Sequence, residues 1–170
     1  LIKKILINIL IICFLISSIL FNFNKFIRIN NVLPDFILIF TVLNGIFFGP
    51  IYGMIFGFAC GLSFEIVSQF PIIGFYALIY TLIGYSTSIT RILYVDNAFT
   101  ATITILLLIL LKSFLFLSLG FLFLNIDEIS FYFKNIFIIQ TIYTVIISIP
   151  VFLIYKRFNP KLRKSYNHDV

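Results

Sequence analysis

Glu65 and Lys112 are the residues on which any chemistry would have to rest, because each stands inside a long apolar run. An ionisable group in such a segment is costly to keep, so it marks a functional site by default. Little else nearby is reactive. The single histidine, His168, lies third from the end, and Cys13 and Cys60 are far apart with no CxxC pair. Those cysteines read as small hydrophobes, with no disulfide or metal implied. No acid is paired with a base, and no nucleophile stands beside one. Catalysis by acid–base, nucleophilic or metal chemistry therefore has nothing to be built from. An enzyme is disfavoured, and no cofactor and no small-molecule substrate are expected.

The spacing around Glu65 is more informative. In "GPIYGMIFGFACGLSFEIVSQ" glycine recurs every fourth residue, at Gly49, Gly53, Gly57 and Gly61, and the next step lands on Glu65. Steps of four overshoot one helical turn by about 40°, so the glycines trace a slowly winding groove. A groove of that kind suits close crossing by another helix. That helix is either this protein's own second or fourth, or one from a partner. Glu65 then snorkels, or closes the packing through a hydrogen bond. A Glu65–Lys112 pair is a third reading, although their depths differ by about two helical turns.

The elements that carry these residues follow from composition. The chain has 170 residues, is 62% hydrophobic and 11% charged, and has a mean hydropathy of +1.17. Soluble domains run near 45–50% apolar and about 25% charged, so this is an integral membrane protein. The bias toward Ile, Phe, Asn, Lys and Tyr fits an AT-rich genome. Leu1 in place of Met reads as an alternative start codon translated literally, or as a trimmed chain. Apolar segments fall at about 5–23, 33–48, 51–69, 72–90, 98–124 and 136–155. Alternation of period two is absent, so helices and not barrel strands are expected. No small-residue cleavage site follows the first segment, which reads as a retained span rather than a signal peptide.

The second segment is the short one. Joining it to the third as one kinked helix through Gly49-Pro50 would give a length of about 55 Å, too long for one crossing. Charge agrees with a hairpin turning at Gly49-Pro50. Six crossings put Lys3, Lys4, Arg91, Lys156, Arg157, Lys161, Arg163 and Lys164 inside, against Lys25, Arg28 and Lys134 outside; five would strand the basic tail outside. The expected organisation is a six-helix transmembrane domain over 1–155 and a basic cytoplasmic tail over 156–170. The tail either binds anionic lipid or only sets topology. Pro34 and Asp35 open the second helix, with Asp where the helix dipole favours an anion. Asp35 pairs with Lys25 or Arg28, or all three are surface charges of little energetic weight. Tyr52, Tyr94, Tyr132 and Tyr155 fall near segment ends and suit the interfacial belt.

The block from Pro34 to Tyr85 resembles the MreD family of bacterial rod-shape proteins, most clearly in "GFACGLSFEIVSQFPIIGFYALIYTLIGY". Gly57, Phe58, Gly61, Leu62, Glu65, Ser68, Gly74, Ala77, Leu78, Gly84 and Tyr85 match the family pattern, as does the Pro34-Asp35 opening. The acidic position is usually Asp in the family; Glu65 adds one methylene. The resemblance implies a non-catalytic component of the cell-wall elongation machinery, in the bacterial cytoplasmic membrane. It implies as partners MreC, the actin-like MreB, RodA and a class B penicillin-binding protein. It also implies the all-α fold of energy-coupling-factor transporter S subunits. A vitamin-binding S subunit is the alternative function. Against it, S subunits carry Ala-x-x-x-Ala on the first helix, whereas Ala59, Ala77, Ala98 and Ala101 all lie outside the first segment.

Topology is directly testable. In a background free of Cys13 and Cys60, cysteines in the 24–33, 69–73 and 125–135 connections should react with an impermeant reagent in intact cells. Those in the Lys156–Lys164 tail should not, and labelling there would sink the six-span arrangement.

Overall fold

Helix is the conformation that lets a lipid-exposed backbone satisfy its own hydrogen bonds, and the computed structural model is helical over most of the residues it describes. It describes residues 32–93, 98–123 and 137–158. Five helices lie there: α1 (Phe36–Phe48), α2 (Pro50–Ser68), α3 (Phe75–Leu93), α4 (Ala98–Phe123) and α5 (Ile138–Phe158). The expected first span, 5–23, lies outside the described residues, as do Tyr94 and Tyr132. Serine and threonine hydroxyls inside the helices bond to carbonyls one turn back, as in Ser63 to Ala59, Thr81 to Ala77 and Ser113 to Ile109. Hydroxyls bonded in this way bring no unmet donor into the bundle; Thr41 of α1 is an exception.

Punctuation between helices is chemical. Asp35 caps α1 by accepting from the Leu38 N–H at 2.9 Å. Pro34 therefore precedes the cap rather than occupying the first turn. Gly49, at φ 107°, separates α1 from α2, and Pro50 opens α2. Only glycine takes that φ without strain. Gly49 thus serves as the turn, and the packing groove begins after it. The two helices fold back as a hairpin, because Gly45 and Gly53, eight residues apart, come into backbone contact.

Helix α1 is the axis. None of its 13 residues is exposed, and Leu38, Ile39, Val42 and Leu43 are fully buried. A mostly apolar helix with no exposed face is one enclosed by others, and α2, α3, α4 and α5 all touch it. Its length of about 20 Å falls short of a core of about 30 Å. Among the described residues, three helices are long and apolar enough to cross a membrane: α2, α4 and α5. The Phe75–Ile89 stretch of α3 is apolar but shorter. Only 33, 39 and 22% of the spanning windows of α2, α4 and α5 are buried within the protein. The remainder is apolar surface such as Ile55, Phe114 and Ile146, far more than an aqueous surface tolerates.

The glycine groove is filled from within. A Cβ on Gly53 would stand 2.9 Å from Gly45 Cα and 3.2 Å from the Gly84 carbonyl oxygen. One on Gly57 would collide with the Tyr80 carbonyl, and one on Gly61 would lie 2.7 Å from Ala77 Cα. Helix α3 lies along the stripe with α1 beside it. Gly45 extends the four-residue spacing one step earlier than Gly49, and its own Cβ would meet Thr87 Cγ2 at 2.6 Å.

Leucine at Gly57 or Gly61 must push two backbones apart, at a cost of about 1–3 kcal/mol or more. Both variants should lose abundance and detergent stability. Normal levels of both would show that these contacts do not hold the trio together.

Candidate functional site: two buried carboxylates

Lys112 finds its partner in Asp35, not in Glu65. The Nζ–Oδ2 distance is 2.5 Å, and each side chain is 5% exposed. This replaces both pairings drawn from the sequence, Glu65 with Lys112 and Asp35 with a surface Lys25 or Arg28. The latter two lie outside the described residues. Asp35 is carried inward because α1 begins inside the bundle, where α3, α4 and α5 converge on it. The Tyr80 hydroxyl of α3 stands 3.0 Å from both carboxylate oxygens. The Asp35 N–H donates to Thr144 Oγ1 of α5 at 2.9 Å, and the Thr144 hydroxyl donates to the Gln140 carbonyl at 2.6 Å. Lys112 Nζ also lies 5.5 Å from the centre of the Tyr80 ring, within cation–π range. One residue thus caps its own helix and joins three others, two through its carboxylate and the third through its backbone amide.

Glu65 is 1% exposed and does something different. Its Oε2 accepts from the Gly74 N–H at 2.7 Å, and its Oε1 accepts from the Ala77 N–H at 3.1 Å and from the Tyr76 N–H. These are orphan donors at the start of α3, where an anion also faces the positive end of the helix dipole. Gly74, at φ 99°, makes the turn that aims them. Glu65 therefore ties the end of α2 to the start of α3 across the 69–73 connection.

A second polar contact lies toward the other end of α1. Tyr155 is buried, not interfacial, and its hydroxyl donates to Asn44 Oδ1 at 3.1 Å. Phe40, Phe47 and Phe48 pack around that ring. Among the described residues, Thr41 Oγ1 is a buried polar atom with no hydrogen-bond partner. Its methyl group packs 3.0 Å from where a Gly57 Cβ would be. Also among the described residues, no three His, Cys, Asp or Glu side chains cluster as metal ligands would. Both buried carboxylates are used to hold helices together.

The remaining positions singled out in the sequence divide by face. Ala77 and Gly84 are buried at the contact with α2, and Leu62 is partly buried. Phe58, Ser68, Leu78 and Tyr85 point outward. Lys156 and Arg157 form the last turn of α5, with Lys156 Nζ 5.9 Å from the centre of the Phe152 ring. Lys161, Arg163 and Lys164 lie outside the described residues. Tyr80 and Thr144 were not foreseen. They stand 45 and 109 residues from Asp35, and no local spacing links them.

An all-helical membrane protein whose buried charges join helices is the class these features define. A family model described as rod shape-determining protein MreD matches residues 2–158, nearly the whole chain, and the chain belongs to that family. Its role is accordingly in rod-shape determination. No curated protein and no solved structure matches the chain.

Asp35→Ala removes the helix cap and leaves Lys112 without its carboxylate. Breaking a buried pair from one side costs about 3–5 kcal/mol, so thermal stability in detergent should fall sharply. Asp35→Asn keeps the cap and the Tyr80 contact and should fall less. At position 65, Gln keeps an acceptor for the α3 amides and should be milder than Leu; the reverse order would remove the capping role.

Proposed function

We propose that this chain is a non-catalytic organiser of the cell-wall elongation machinery in the bacterial cytoplasmic membrane. It would cross that membrane six times with both termini inside. The partners implied by the family are MreC, MreB, and RodA with its class B penicillin-binding protein. The observation that carries the reading is the family match over residues 2–158. The geometry supports an outer face, rather than the glycine groove, as the surface that partners would meet. The glycine groove is occupied by α3 and α1, so partner helices would lie against an outer face. Phe58 and Tyr85 belong to the family pattern yet are 52% and 58% exposed, and internal packing does not account for them. Large aromatic side chains on a lipid-facing surface offer a partner helix the van der Waals contact on which association in a membrane depends.

Co-purification tests this. The intact protein, co-expressed with MreC or with the RodA–synthase pair, should be retained by it. Exchange of Phe58 and Tyr85 together to Ala should leave abundance unchanged and lower the retained fraction at least tenfold. A B vitamin carried through purification in stoichiometric amount would favour the S-subunit reading instead.

A further inference from the structure

Helix α3 packs on both α2 and α4, and those two carry exposed apolar surface of very different length. Glycine contacts fix the level of α2 against α3. Gly53 meets Gly84, Gly57 meets the Tyr80 carbonyl and Gly61 meets Ala77, so the two run antiparallel. The exposed apolar residues of α2 run from Ile51 to Ile66. Past them lie the Gly49-Pro50 turn at one end and exposed Ser68 and Gln69 at the other. That belt is about 22 Å deep. The apolar stretch of α3, Phe75–Ile89, has about the same depth. Its exposed Tyr85 falls level with Tyr52 at the start of α2, where phenols suit an interface.

Helix α4 has 26 residues. Its exposed side is apolar from Phe99 to Phe123 apart from Ser118, whose hydroxyl bonds back to the Phe114 carbonyl. That length is about 36 Å. Ring contacts fix its level too. Phe116 packs on Phe75 and Tyr76 with centroids 5.6 and 6.3 Å apart, and Lys112 Nζ lies 5.5 Å from the centre of the Tyr80 ring. Phe116 is therefore level with the start of α3. Helix α4 continues about 10 Å further, to the exposed Phe121, Leu122 and Phe123. At the other end exposed Phe99 falls about 7 Å past the level of the Gly49-Pro50 turn.

We propose that the protein holds a bilayer of uneven thickness: thin against α2 and α3, where short acyl chains fit, and full against α4. A belt of about 22 Å in a core of about 30 Å must either sink its polar ends into hydrocarbon or draw the bilayer in. Hydrocarbon offers no hydrogen bond to Ser68, Gln69 or the Tyr85 hydroxyl, so the bilayer yields. Tilt does not remove the mismatch. Fitting α4 within 22 Å would need a tilt of about 50°, outside the range of roughly 0–40° that spans adopt. A thin flank also sorts a protein toward thin bilayer. The inference stands whichever partners the chain holds.

The chain contains no tryptophan, so one introduced on either face reports the lipid beside it. Ile55→Trp and Phe114→Trp place it at exposed positions on the short and long belts. Each full-length variant is reconstituted in mixtures of brominated and unbrominated phosphatidylcholine of different chain lengths, and quenching gives their relative affinities. In Ile55→Trp, chains of about 14 carbons should be favoured about threefold or more over chains of about 22. In Phe114→Trp that preference should be lost or reversed. An equal preference in both variants would overturn the proposal, as would none, or one for long chains, in Ile55→Trp. So would Ile55→Trp fluorescence that no brominated lipid quenches, because protein and not lipid then covers that face.

Discussion

In water, helices associate because doing so hides apolar surface. In hydrocarbon that force is absent, since lipid is as apolar as the side chains themselves. What remains is close van der Waals contact and hydrogen bonding between groups that lipid cannot satisfy. The structure divides these two resources by location. The α1–α3 trio is held by backbone approach at Gly45, Gly53, Gly57, Gly61 and Gly84, and α4 and α5 reach the trio through polar bonds and rings. The burial of α1 on every side follows. A mostly apolar helix of only 13 residues is too short to cross a bilayer core alone, and it is enclosed by its neighbours.

The same constraint explains why two carboxylates can be buried. An isolated charge in a span is expensive, and each acid is compensated in a different way. Glu65 draws on the unpaired amides at the start of α3, where the donors would otherwise need water. Asp35 has an ammonium, a phenol and its own helix start. Compensation of Asp35 thus needs α3 and α4 in place, and its own amide bonds to α5. Glu65 needs only its sequence neighbour across a short connection. Asp35 therefore joins helices far apart in sequence, and Glu65 clips together two that are adjacent.

Much of the architecture was legible in order along the chain. The apolar segments that fall within the described residues, the turn at Gly49-Pro50 and the role of Asp35 at a helix start follow from local rules of helix patterning and punctuation, and the structure has each of these. The glycine spacing announced close packing, and Gly45, on the other arm of the hairpin, meets the stripe at Gly53. The partner of Lys112 was less accessible. Estimated depths along straight spans left Asp35 at the membrane surface, because they assumed that every apolar segment runs from one face to the other. Helix α1 begins inside the bundle instead, so its cap is buried where Lys112 can reach it.

Composition and periodicity by themselves determined the solvent and the secondary structure, because a backbone in lipid has few ways to satisfy its own donors and acceptors. They also set the turn residues and the small-residue stripe, which depend on neighbours one to four positions away. Only the tertiary structure decided which carboxylate pairs with Lys112, that Tyr80 and Thr144 join the cluster, and that Tyr155 turns inward to Asn44. Those contacts link residues from 45 to 111 positions apart. Their existence depends on how deep each helix begins and on which helices surround it. Depth and neighbourhood belong to the packed bundle, and no stretch of the chain encodes them alone.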